Sequence, residues 1–163
     1  MNTKYFNYTH GSIIVKDPIN GSLAGSPKHI IDGNFNCTDN KITSLVGGPE
    51  IVDGYFSCDD NLLTDLNGAP RIIGAWIDFR HNPKITSLVG IHKIIKKCPD
   101  FTFNSSCITH GGIGLLLIEN LARISAGAEP FKIIKRYIGT GTKGMMECSK
   151  ELKAKGYDEY AKL

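Results

Sequence analysis

Apolar residues return along this chain at a nearly fixed interval. Ile31, Val52 and Ile73 lie 21 residues apart, and so do Phe35, Phe56 and Ile77, and Cys37, Cys58 and Phe79. Leu23, Leu45, Leu66 and Leu88 repeat at 21 to 22 residues, as do Pro27, Pro49 and Pro70. A polar row keeps the same step: Asn40, Asn61 and Asn82. Within each unit, Phe35-Asn36-Cys37 alternates apolar with polar, the period of a half-buried strand. The Asn that follows can both donate to and accept from the backbone of a turning loop, and stacked copies can form a ladder. Ile42 and Leu45 then turn inward, and the Gly and Pro beyond the Leu supply a tight return. A single coil of this length cannot bury its own apolar side, whereas a stack of coils makes a continuous core. The pattern therefore predicts an α/β or β-rich solenoid of about four to five coils with a parallel sheet.

The rows weaken toward both ends. Asp17 through Leu23 reads as half a repeat, with Asp17 in place of the Asn. After Leu88 the Pro is lost, although Phe101 and Asn104 fit a 22-residue step from Phe79 and Asn82. Leu115 to Asn120 reads as one more strand, while Ile113–Ile124 reads nearly as well as a helix. After Ala126 the period becomes helical. Pro130 suits a first turn, and Phe131, Ile134 and Tyr137 or Ile138 keep helical spacing up to Gly139. A second helix is expected from about Lys143 to Lys155 with Met145, Cys148 and Leu152 on its apolar stripe; Gly156 suits its stop. A short turn, Asp158–Leu163, follows. Two or three C-terminal helices would thus cover the end of the stack, where core and an unpaired sheet edge would otherwise meet water. The expected division is residues 1–22 as cap and partial repeat, 23–126 as solenoid and 127–163 as helical cap, all one globular unit.

At positions 35–45 the pattern Phe-x-Cys-x-x-Asn-x-Ile-x-x-Leu resembles the leucine-rich-repeat motif. With its recurring Leu-x-Gly-x-Pro segment, it is similar to the short repeat proteins of tailed bacteriophages and bacterial mobile elements. The likeness covers roughly Leu23 to Asn104, and the tail from Phe131 to Leu163 resembles the ending of those proteins. The resemblance implies a fold and a phage source. With the small size of the chain, it also suggests a role in blocking a bacterial defence or regulatory factor in the cytoplasm of an infected host.

Composition narrows the function classes. The net charge of +3 is too small to point to nucleic acid. Residues 1–113 carry ten cationic and ten acidic side chains, so the excess lies in the C-terminal third. Five cysteines without a CxxC pair or a zinc-spaced His argue against a disulfide framework or a structural metal. Neither a signal-peptide core nor a membrane-spanning run is legible, and a reducing cytoplasm fits best.

Solenoids bind mainly through side chains that point out between the core positions. Three outward columns can be read from the register: Asn34, Tyr55, Trp76 and Cys98; Asn36, Ser57, Asp78 and Asp100; Thr38, Asp59, Arg80 and Thr102. Tyr55 and Trp76 beside Asp59, Asp78, Arg80 and Asp100 have the chemistry of a protein-binding hot spot. The competing reading packs Tyr55 and Trp76 half-buried against neighbouring columns or the terminal helices. An acidic middle of the face would suit a basic partner. Cys37 and Cys58 share a column with Phe79 and read as core. Gly139–Gly144 lacks phosphate-loop spacing, but Thr142 and Lys143 at a helix start could hold an anion. Cys107 and His110 form a nucleophile pair on paper, without an orienting acid. The expectation is a non-enzymatic module without cofactor or metal that docks a host or viral protein and is favoured to be monomeric. A nucleotide- or anion-sequestering protein and a virion or assembly component are the alternatives.

Overall fold

The computed structural model describes residues 6–16, 21–26 and 29–163; Asp17 to Asn20 of the half repeat, and Pro27, lie outside them. The chain opens with an antiparallel hairpin, β1 (Phe6–Thr9) and β2 (Ser12–Val15), turned at His10 and Gly11. Each following coil then contributes a strand to one or both of two parallel sheets. The larger sheet adds β4 (Phe35–Asn36), β6 (Phe56–Ser57), β8 (Trp76–Asp78), β9 (Asp100–Thr102) and β10 (Arg123–Ser125) in that order beyond the hairpin. The smaller one joins β3 (Ile30–Ile31), β5 (Ile51–Val52) and β7 (Ile72–Ile73). The result is a β-solenoid of about five turns, closed at its C-terminal end by helices.

Matched rows are matched in space. Phe35 pairs with Phe56, Phe56 with Ile77, Ile77 with Phe101 and Phe101 with Ile124, and none of the five side chains is more than 2% exposed. Phe35 and Phe56 stack with ring centroids 5.5 Å apart. Ile31, Val52 and Ile73 from the smaller sheet face the same interior, as do Leu23, Leu45, Leu66 and Leu88. Burying each such side chain contributes roughly 1.5–3 kcal/mol, which explains why a sequence keeps the period so strictly.

The Asn row makes the turns. Asn61 is 3% exposed and sends its Nδ2 to the carbonyls of Cys37, Cys58 and Asp59, while its Oδ1 accepts from the backbone N–H of Asn40 and Ile42. Asn82 repeats this one coil later, donating to Cys58, Phe79 and Arg80 and accepting from Leu63. Asn40 donates to Val15 and Thr38. One amide therefore satisfies backbone groups of two coils at once, where unmet groups would be costly.

Two expectations need correction. The fourth coil does not keep the 22-residue step, because Ile77 pairs with Phe101 and Phe79 stacks on Phe103. A short helix, α1 (Ile91–Ile94), widens that coil and shifts its register by two residues. Cys98 consequently follows Ile73 in the interior and is fully buried, rather than following Trp76 on the surface. Further on, Leu115–Asn120 is not a strand. Gly111 and Gly112 turn the chain with positive φ into a 3₁₀ turn over Ile113–Leu117, and the fifth parallel strand comes later, as β10.

The helical cap consists of α2 (Glu129–Lys135), α3 (Gly141–Ala154) and a last 3₁₀ turn, Asp158–Ala161. Phe131 of α2 is fully buried, with the rings of Phe103 and Tyr160 edge-on to it. Ser105 Oγ accepts from the N–H groups of Gly127 and Ala128 where the chain leaves the sheet. Tyr160 donates its hydroxyl to the Ile108 carbonyl, which ties the tail to the fourth coil. Among the described residues, no helix is long and apolar enough to cross a membrane.

Candidate functional site

The outward side of the larger sheet is ordered in rows by strand pairing. Its first row runs Asn34, Tyr55, Trp76, Asp100 and Arg123; the second runs Ile14, Asn36, Ser57, Asp78, Thr102 and Ser125. Asp100 therefore stands beside Trp76, and Thr102 beside Asp78, two residues from the columns expected on a uniform step. Thr38, Asp59 and Arg80 begin the third row.

Tyr55 and Trp76 form the centre of the face. Their rings are parallel within 7° and 4.4 Å apart between centroids, and both side chains remain partly exposed. Asn34, next in the row, accepts the Tyr55 N–H at its Oδ1, 3.0 Å away. The aromatic pair is thus half-buried by mutual stacking while its outer rim meets solvent. A rigid, partly dry aromatic surface of this kind loses little entropy on contact with a partner.

The charged residues divide into two groups. Asp78 is 5% exposed and is held by Arg80, which donates from Nε and Nη2 to both carboxylate oxygens at 2.6–3.0 Å. That contact raises the Arg80 pKa. Asp100 is also buried; Arg123 donates to its Oδ2, and its Oδ1 has no partner among the described residues. The expected acidic middle is therefore neutralised by the chain's own guanidinium groups, since a buried carboxylate requires a counter-charge.

Asp59 differs. Its Oδ1 accepts from Thr38 Oγ1 at 2.6 Å and from Ser57 Oγ at 2.7 Å. Partial burial pushes its pKa up, but these hydrogen bonds, its backbone contact and the field of Arg80 outweigh that and hold it below the usual carboxylate range. Behind it, Asp39, Asp60 and His81 occupy the position before each Asn of the ladder, all with φ near +50° and all exposed. His81 Nδ1 lies 3.3 Å from Asp60 Oδ2, and Asp59, Asp60 and His81 each bring one ligand atom within 4.8 Å of the others. Those three could supply metal ligands, although Asp60 and His81 already contact each other. Asp39, Asp60 and His81 recur at the same 21-residue step as the Asn row, a signal in the sequence that could have marked this edge.

The remaining candidates lie elsewhere. Thr142 and Lys143 are exposed in the first turn of α3, in the C-terminal cap, and no sheet-face residue joins them. Cys37, Cys58, Cys98 and Cys148 are fully buried, and burial drives their thiol pKa values up, to about 12 for Cys98 and Cys148. They serve as small apolar side chains. Cys107 and His110 do not pair: His110 contacts Thr109 Oγ1 through Nδ1 and Glu159 through Nε2.

No protein-family model, curated protein or solved structure matches this chain.

Proposed function

We propose that this protein is a non-enzymatic interaction module, phage-encoded, which docks a host or viral protein on the outer face of its larger sheet. A solenoid closed by helices is consistent with an interaction scaffold. The observation that carries the reading is the Tyr55–Trp76 stack, set at the centre of a face otherwise made of small polar side chains and internally paired charges. Large aromatic groups held rigid at the middle of a polar surface concentrate binding energy there. The sequence resemblance to phage repeat proteins supports the source. It also supports a role in blocking a bacterial defence or regulatory factor in the infected cytoplasm.

The test is affinity capture from bacterial lysate with wild type and a Tyr55→Ala/Trp76→Ala double variant, each first checked for folding. The reading expects a discrete partner with wild type and its loss with the variant. Equal recovery by both would remove the sheet face from consideration.

A further inference from the structure

We infer that the hollow beside the first residues of the smaller sheet, ending at Arg71, binds a small phosphate monoester of a sugar or nucleoside. The inference goes beyond the docking reading and uses no residue of the larger sheet's outer face.

The repeat itself makes the hollow. After its inward Leu each coil turns at a glycine: Gly48 N–H donates to the Leu45 carbonyl and Ala69 N–H to that of Leu66, with φ +87° at Gly47 and +86° at Gly68. Between these turns and the residues that lead into β3, β5 and β7 lies a cavity of about 320 Å³, within the size of small-ligand pockets. Its lining combines apolar Val46 and Pro49 with Ser26, His29, Glu50 and Arg71. Ser26 Oγ is buried and has no hydrogen-bond partner among the described residues, an arrangement that costs stability until a partner arrives. Rotation about its one side-chain torsion turns the hydroxyl toward a ligand.

Charge selects the ligand. Lys96 N–H donates to the Arg71 carbonyl at 2.8 Å, so the two cationic residues hold the same position in adjacent coils. Lys96 Nζ donates to the His92 carbonyl at 3.0 Å, which keeps it beside α1 and Lys93. Arg71, Lys93 and Lys96 are all exposed, and among the described residues none of them has an ion pair. The carboxylates in the flanking positions are Glu50, which His29 contacts at 3.5 Å, and Glu119, which follows Lys97 in the next coil. His92 feels the remaining positive field: burial first, then Lys93 and Lys96, hold its pKa below the usual imidazole range. Like charges set side by side in a sheet are unfavourable. A phosphate group offsets them, and a guanidinium grips it through two parallel N–H donors. Glu50 and the Ser26 hydroxyl offer the hydrogen bonds that ring hydroxyls need, and Glu50 turns away a ligand that is anionic at both ends.

Isothermal titration calorimetry of the whole protein tests the assignment, with ribose 5-phosphate and adenosine monophosphate as ligands and with ribose and inorganic phosphate in parallel. The expected result is saturable binding of at least one ester, about tenfold tighter than inorganic phosphate, and no binding of ribose. A preference for either ester supports the proposal and tells sugar from nucleoside. Arg71→Gln should weaken the ester about tenfold, and Lys96→Gln and Ser26→Ala severalfold, with thermal unfolding unchanged in the two exposed variants. Lys143→Gln, in the helical cap, should have no effect. Absence of binding by both esters, inorganic phosphate or ribose bound as tightly as the esters, unchanged affinity in Arg71→Gln, or an equal loss in Lys143→Gln would overturn the proposal.

Discussion

Between Phe35 and Leu88 the chain closes its coils in one way: an inward Phe or Ile, a second core residue two positions on, and an Asn that bonds two coils together. From Gly90 onward it closes them differently. A short helix widens the fourth coil, a 3₁₀ turn replaces a return, and Asn104 makes no side-chain hydrogen bond among the described residues. Both regions bury their interior equally well; Phe56 and Phe101 are each fully enclosed. The lesson is that burial tolerates several backbone solutions, whereas strict periodicity reflects the hydrogen-bonded turn. Where the ladder ends, the coil length drifts, and aromatic packing of Phe103, Phe131 and Tyr160 takes over the work of closure.

That contrast can be broken by mutation. Asn61→Ala removes five hydrogen bonds and strands buried backbone groups, each of which costs about 1–3 kcal/mol when unmet. Urea unfolding should register a loss of about 4 kcal/mol or more. Asn104→Ala in the same assay should lose under about 1 kcal/mol, within the range of surface substitutions. Comparable losses at both sites would refute the distinction. Phe131→Ala tests the other side: removing a fully buried ring at the hub of the cap should cost about 3–5 kcal/mol.

Glycines sharpen the comparison at a smaller scale. At Gly74 an added Cβ would stand 1.9 Å from the Asp53 carbonyl oxygen, because neighbouring coils approach closely there. Gly74→Ala should therefore destabilise by about 1–3 kcal/mol. Gly127, between sheet and cap, has open space around it, so Gly127→Ala should leave the unfolding midpoint nearly unchanged or slightly raised. Thiol chemistry gives a finer reading still. In the native protein at pH 8, one thiol per chain, Cys107, should react rapidly with a disulfide reagent, and the four buried ones should wait for unfolding. Rapid labelling of Cys37 or Cys58 would show that the coil interior opens.

The smallest expected effect concerns acid. The Asp59 pKa is depressed in the folded state, so its stabilising contribution is complete above the unfolded carboxylate range and disappears as pH falls through the folded value. Asp59→Asn should flatten that part of the stability profile. An unchanged profile would remove Asp59 as the source.

Legibility in the sequence followed the same boundary. Identical residues at identical spacing made the first three coils readable to the individual pair, including Phe35 with Phe56 and the Asn61 turn. That Tyr55 and Trp76 share a row was legible; that their rings stack was not. The fourth-coil register was unreadable because the insertion at Ile91–Ile94 has no repeat to be compared with, and the two-residue slip displaced Cys98 and Asp100 together. Burial of Asp78 was hidden for a different reason: Arg80, two residues on and on the same side of the strand, reaches back to cover it. A sequence lists both charges but not which of them faces water. Asp100 and Arg123 are 23 residues apart, and their contact depends on the register that the sequence concealed.

The most direct test of the central claim places a photo-crosslinking p-benzoyl-phenylalanine at position 55 in one protein and at position 30 in another, followed by irradiation in bacterial lysate. Tyr55 stands at the centre of the larger sheet's outer face, whereas Ile30 is exposed on the smaller sheet. A discrete adduct from position 55 and none from position 30 is the predicted result. The same adducts from both positions, or an adduct from position 30 alone, would contradict the assignment of the larger sheet as the docking face.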